Sequence, residues 1–205
     1  MKHNVMIWAV LGLFFFSCSN TTPESEKTYE TYYNQGWEAF TQKEYPRALI
    51  AFLEAEKLNK TSDIVSAIGW VYLVQSDLEK AKQTLFQTGF SSINISAGLA
   101  FLYNATGDFT QSIQAVNVVE NENSDWAFAY GLNLTMKDLY VVLAQNHFAL
   151  GNFKESVDVL QKIDSAFTAN PDTFDGQKRI ASKIESMNKH IVLSLMGSKR
   201  IKPVL

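Results

Sequence analysis

The side chains that could do covalent, acid–base or metal chemistry are few in this chain, and their spacing assembles no known catalytic constellation. There is one cysteine, Cys18, and the histidines are His3, His147 and His190, far apart in sequence. A zinc-protease helix needs the pattern H-E-x-x-H, a phosphate loop needs G-x-x-x-x-G-K, and a serine-hydrolase elbow needs G-x-S-x-G. None of these occurs. The close carboxylate pairs fare no better. Glu54 and Glu56 lie two residues apart, which on a helix turns them about 200° away from each other, and Glu120 and Glu122 begin an irregular segment. No metal, cofactor or catalytic role is expected. The residue types that do recur with a spacing are aromatic, and aromatic side chains bind through contact rather than chemistry.

Composition sets the frame for that contact. The chain has 205 residues, of which 46% are hydrophobic, 13% aromatic and 19% charged, with a formal net charge of −3 and a pI near 5.6. These values describe a globular protein with enough chain for one core. An acidic balance with no long basic run in its first two thirds makes nucleic acid an unsuitable partner.

The first seventeen residues stand apart. Met1-Lys2-His3 is a short basic start, Val5 to Phe16 is apolar, and Ser17-Cys18 follows at once. About 20 apolar residues are needed to cross a bilayer, so the run suits a secretion signal rather than a membrane span. Phe15-Phe16-Ser17-Cys18 resembles the lipobox of bacterial lipoproteins, with Phe15 where leucine is usual. That resemblance implies a diacylated Cys18 at the mature N-terminus, and Ser19 after it implies sorting to the outer membrane. More than one acyl chain makes such anchoring stable. The alternative is an ordinary secretory signal cut near Cys18. Asn20 to Lys27 is polar, contains Pro23 and has no apolar period, so residues 18–28 read as the lipidated cysteine and its tether.

From Tyr29 onward the chain repeats. Gly36 and Gly69 are 33 residues apart, as are Ala48 and Ala81, and each glycine precedes its alanine by 12. Apolar residues recur at helical intervals. The first hairpin pairs Tyr29 to Gln42 with Pro46 to Leu58. The second runs from Ser62, the expected N-cap, to Gln75 and returns from Leu78 to Thr88, with Gly89 as its stop. The third turns at Thr106-Gly107-Asp108. The fourth turns at Gly151-Asn152, with Asn152 and Glu155 as the expected capping pair.

Gly36, Tyr45, Ala48, Phe52 and Ala55, then Ile68, Gly69, Tyr72, Ala81 and Leu85, resemble the tetratricopeptide (TPR) repeat. Leu99, Ala100, Tyr103, Gly107 and Phe109, and then Tyr140, Leu143, Ala144, Gly151, Phe153 and Leu160, continue the likeness, with Ser112 and Ser156 in place of the usual alanine. The resemblance implies an all-α, right-handed solenoid of about four helix hairpins over residues 29–165. His147 falls where that repeat has a packing tyrosine, which makes it a core residue rather than a ligand.

Between the third and fourth copies lies an insertion at about 120–136 containing Trp126-Ala127-Phe128-Ala129-Tyr130. Large residues alternating with alanine fit either a short strand or a helix with Trp126 and Tyr130 one turn apart; a short helix is expected. Residues 166–205 form a linker and a helix whose apolar stripe, Ile180, Ile184, Met187, Ile191 and Leu195, suits a cap over the open end of the array.

In the repeat family the residue after the small position of each first helix faces the concave groove. Here those residues are Trp37, Trp70, Phe101 and Gln145. Three positions on come Phe40, Leu73, Asn104 and Phe148, and Tyr33 lies one turn before Trp37. A solvent-facing row of this kind implies a groove for a partner segment. The alternative is that the closing helix or the Trp126 to Tyr130 segment fills the groove from within. The resemblance to repeat-bearing lipoproteins implies a non-catalytic adaptor in an envelope complex, on the periplasmic or surface face of the outer membrane. A surface glycan-binding lipoprotein is the second reading, since stacked tryptophans suit sugars. If the lipobox is used, Cys18→Ser moves the protein from the membrane fraction to the soluble fraction of cells. Continued membrane association would defeat lipidation.

Overall fold

The computed structural model describes residues 28–89 and 91–196; the signal segment, Cys18 and nearly all of the tether lie outside them. Nine α-helices are found among the described residues. They are α1 (Tyr29–Thr41), α2 (Tyr45–Leu58), α3 (Ser62–Val74), α4 (Leu78–Leu85, continued by a 3-10 turn over Phe86–Thr88), α5 (Ile93–Thr106), α6 (Phe109–Glu122), α7 (Met136–Ala149), α8 (Phe153–Ile163) and α9 (Phe174–Met196). Consecutive pairs form four hairpins stacked as a TPR-like solenoid. Helix α9 packs on α7 and α8 and reaches back to α3.

One spacing builds all four hairpins. Gly36 and Ala48, Gly69 and Ala81, Ala100 and Ser112, and Ala144 and Ser156 each lie 12 residues apart, and all eight are buried. The serines do not weaken the later copies. Ser112 Oγ donates to the Ala100 carbonyl at 2.7 Å, and Ser156 Oγ donates to the Ala144 carbonyl at 2.9 Å. A buried hydroxyl is costly only when unpaired, and the facing helix supplies its partner.

The turns repeat as well. Lys43, Ser76, Gly107 and Gly151 all take left-handed backbone conformations, with φ of 63°, 61°, 82° and 78°. The backbone N–H of each, and of the residue after it, caps the preceding helix, as in Ser76 N to Leu73 O and Asp77 N to Tyr72 O, both at 2.9 Å. At the helix starts, Thr28, Thr61, Asp77 and Ser92 each accept a backbone N–H two or three residues into the helix. Thr61 thus takes the capping place expected of Ser62. The expected Asn152 and Glu155 pair does not form, since Asn152 makes no side-chain cap. A capping box appears at Thr135 and Asp138 instead.

The insertion departs from the expected short helix. Residues 123–135 run extended, fold back on themselves and form one antiparallel bridge between Ala127 and Thr135. Phe128 N donates to Leu134 O and Met136 N to Trp126 O, both at 2.8 Å. The physical reason lies in the alternation: Trp126, Phe128, Leu132, Leu134 and Met136 are buried while Ala127, Ala129, Gly131 and Asn133 are exposed. A period of two puts every large side chain on one face only when the backbone is extended. Gly131 and Asn133 make the return, with φ of 76° and 54°.

Helix α9 carries its stripe as expected. Ile180, Ile184, Ile191 and Leu195 are buried, and Met187 packs half-buried beside them.

Gly69 has no room for a side chain. A Cβ there would lie 2.6 Å from Leu85 Cγ, and Leu85 is itself fully buried. At an exposed helical site a glycine-to-alanine change gains about 0.5–1 kcal/mol. Here overpacking costs about 1–3 kcal/mol and exceeds that gain. Gly69→Ala therefore lowers the urea midpoint, and a raised midpoint would refute the close-approach account.

Candidate functional site: the aromatic wall

The first helices bring the expected wall together, but they do not present it to solvent. Trp37 is 7% exposed, Trp70 0% and Phe101 4%, and Phe40 and Leu73 are buried with them. The expectation of a solvent-facing row is corrected at these positions. Tyr33, Asn104, Gln145 and Phe148 are half-buried.

The 123–135 insertion fills the N-terminal part. Phe128 inserts its ring between the walls, 4.3 Å from Trp70, 6.0 Å from Trp37 and 6.0 Å from Phe40 between ring centroids. Tyr130 lies flat on Trp37 at 3.6 Å with 6° between the planes. Trp126 is anchored by polar contacts: its Nε1 donates to Asn94 Oδ1 at 3.1 Å, and Trp70 Nε1 donates to the Asn94 carbonyl at 3.0 Å. Asn94 thus ties the insertion to α3 through two indoles. The edge-on pair of Phe128 with Trp37 adds about 0.5–1.5 kcal/mol beyond the area it buries.

The C-terminal part of the row is occupied differently. Asn104 Nδ2 donates to Asn146 Oδ1 at 2.8 Å, and Asn146 Nδ2 donates to Ser112 Oγ at 2.7 Å, so a buried polar chain joins α5, α6 and α7. Gln145 Oε1 accepts from Asn188 of α9 at 3.4 Å. Phe148 packs edge-on against Phe153, 5.1 Å away. Both of the internal fillers considered from the sequence are therefore used, the insertion at one end and α9 at the other.

The electrostatics follow from this burial. Burial pushes the Tyr33 hydroxyl up to about 12, with the neighbouring Tyr130 adding to it. The Tyr140 hydroxyl is also pushed up to about 12, first by burial and then by its hydrogen bond to Glu120 Oε1 at 3.0 Å. His147 is half-buried, its Nδ1 has no hydrogen-bond partner among the described residues, and burial holds its imidazole below the usual histidine range. That environment suits the packing role expected of it. His190, isolated in sequence, contacts Asp138 Oδ1 through Nδ1 at 2.8 Å, while the other oxygen of Asp138 accepts from Thr135 N at 2.8 Å. One carboxylate thus joins α9, α7 and the foot of the insertion. Among the described residues no three His, Cys, Asp or Glu side chains come together as a metal site.

Sequence reasoning missed Asn94, Asp138 and the direction of Trp126, Phe128 and Tyr130. For the insertion the signal was present as the alternation itself. Asn94 and Asp138 act over 24 to 52 residues of sequence, and no local pattern encodes that.

The fold and the filled wall define a TPR-like α-solenoid closed on its concave side. Among solved structures the chain is similar to a MamA mutant, at 15% identity and a TM-score of 0.57 over 80% of this chain and 90% of that one. It is similar to the MamA MSR-1 C2 structure, at 15% identity and 0.56 over 80% and 88%. A tetratricopeptide repeat protein from Parabacteroides merdae is also similar, at 13% identity and 0.55 over 82% of this chain and 63% of that one. No family model and no curated protein matches. These likenesses are of fold.

Phe128 tests the filled wall. Phe128→Ala removes a 5% exposed ring from five aromatic neighbours, and should lower stability by about 3–5 kcal/mol in chemical denaturation. An open groove with a loosely laid insertion would lose less than about 1 kcal/mol.

Proposed function

We propose that the protein is a non-catalytic adaptor of a bacterial cell envelope, tethered through lipid on Cys18 and holding a protein partner on its outer surface. The observation that supports this reading most is the closed wall. A solenoid of four hairpins is a scaffold for contacts, and here its aromatic wall already holds an extended segment of the same chain. A partner then meets the surfaces left outside, or reaches Trp37 and Trp70 only by displacing residues 126–130. We favour the outer surface, because a tethered segment competes at an effective concentration on the order of millimolar.

The envelope placement rests on the lipobox resemblance at Phe15 to Cys18, outside the described residues. Among the described residues no helix is long and apolar enough to cross a membrane. The glycan-binding reading has less support: with Trp37 and Trp70 at 7% and 0% exposure, they offer no flat platform for a sugar ring.

Cross-linking in cells tests the adaptor. One discrete protein partner is expected, captured equally by the native chain and by Tyr130→Ala, which uncovers Trp37. If the partner appears only with Tyr130→Ala, the wall is its site and the outer surface is not. If no discrete partner is captured from either chain, the adaptor reading falls.

A further inference from the structure

We infer that Asp138 is a latch that couples the seating of α9 to the closure of the aromatic wall, so that lifting the C-terminal half of α9 loosens the 123–135 insertion. The inference goes beyond the adaptor reading and does not depend on it, since it concerns how the wall of the free protein is kept shut.

The two segments that fill the wall meet at one carboxylate. Asp138 stands in the first turn of α7 and is 8% exposed. From α9, His190 reaches its Oδ1 through Nδ1 at 2.8 Å, and the histidine side chain is itself 51% exposed. On the other side, Asp138 Oδ2 accepts from Thr135 N at 2.8 Å and from Thr135 Oγ1 at 3.1 Å. An ionised carboxylate can only accept, and an imidazole N–H, a backbone N–H and a hydroxyl can all donate to it. One group therefore holds both segments. Thr135 is also the bridge partner of Ala127, which lies between Trp126 and Phe128. The line of contact runs from α9 through Asp138 and Thr135 to the stretch whose rings fill the wall.

The carboxylate transmits because it is one rigid plane. When His190 is withdrawn, Oδ1 loses its donor in a poorly hydrated position, and an unpaired buried acceptor costs more than the made bond contributes. Turning Oδ1 toward water relieves that cost, and the same turn takes Oδ2 off Thr135 N. A second polar tie of α9 has no such relay. Lys183 pairs with Asp164 Oδ2 at 2.7 Å, and Asp164 Oδ1 accepts from Ala166 N in the linker after α8. Lys183 and His190 are two helical turns apart on one side of α9. Breaking either loosens the helix, but only His190 reaches the insertion.

Amide hydrogen exchange in the full chain tests the latch, because it reads local opening residue by residue. The Phe128 and Met136 amides, bonded to Leu134 O and Trp126 O, report the insertion. Amides within α2 and α4 report overall stability. His190→Ala should speed exchange at Phe128 and Met136 roughly tenfold, the size of a typical coupling between sites, and leave α2 and α4 unchanged. His190→Asn, whose amide offers an N–H near the Nδ1 position, should restore the native rates. Lys183→Ala should speed exchange in α9 and leave the insertion as it was. Unchanged insertion amides in His190→Ala, or equal acceleration there by Lys183→Ala, would overturn the latch. So would a uniform rise across all helices, or the same acceleration in His190→Asn, which would assign the effect to lost stability or lost packing. None of these readouts involves a partner, so the adaptor reading stands or falls separately.

Discussion

The structure depends on how closely two helices can approach at one point in each hairpin. Gly36 and Gly69 leave space for the buried side chains Phe52 and Leu85, and a Cβ at either position would collide with them. The small residue 12 positions later, Ala48 or Ala81, closes the same contact from the other helix. Where the second small residue is a serine, the hydroxyl bonds to the facing carbonyl, so the close approach is kept with a hydrogen bond added. Small residues decide the distance and the turns decide the direction. With both repeated, each hairpin stacks on the one before it and the wall of first helices follows.

That wall is apolar enough that it could not stand open cheaply. Trp37, Phe40, Trp70 and Phe101 would together expose several hundred square ångströms of aromatic surface, at about 25 cal/mol per Å². The chain covers it with its own residues. Because the insertion is held at both ends by α6 and α7, it rebinds after any local opening far faster than a free segment arrives. The filling therefore changes which surface is exposed. An aromatic row that looks like a recognition surface becomes core, and α9, which closes the other end of the row, exposes a new face of opposite character.

The parts legible in the sequence were those encoded over a few residues. The 12-residue spacing of small residues and the apolar stripe from Ile180 to Leu195 follow from helical periodicity, and the turns at Gly107 and Gly151 from the glycines themselves. The insertion was misread because Trp126 and Tyr130 fit one helical turn as well as they fit alternate positions of a strand, and only Phe128 between them breaks the tie. A phenylalanine two residues from each points away on a helix and toward the same side when extended. The wall residues were placed correctly on their helices. Their exposure was not, because it depends on a segment some 90 residues beyond Trp37. His190 and Asp138 show the same limit from the polar side: each is unremarkable locally, and their contact exists only once α9 folds back on α7.

Charge and packing then act on different ends of the molecule for a physical reason. The repeats use their carboxylates in short-range pairs such as Glu44 with Arg47 and Glu54 with Lys57, which are exposed and stabilise by at most about 1 kcal/mol each. Those pairs neutralise the body locally while leaving it acidic overall. Helix α9 is held by Ile180, Ile184, Ile191 and Leu195 against the solenoid, with Lys183 paired to Asp164 and His190 in contact with Asp138. Its exposed cations Lys178, Arg179 and Lys189 form no ion pair among the described residues. A helix held mainly by one face can carry charge on the other without loss of fold, and on α9 that outer face carries Lys178, Arg179 and Lys189 with Glu185 among them.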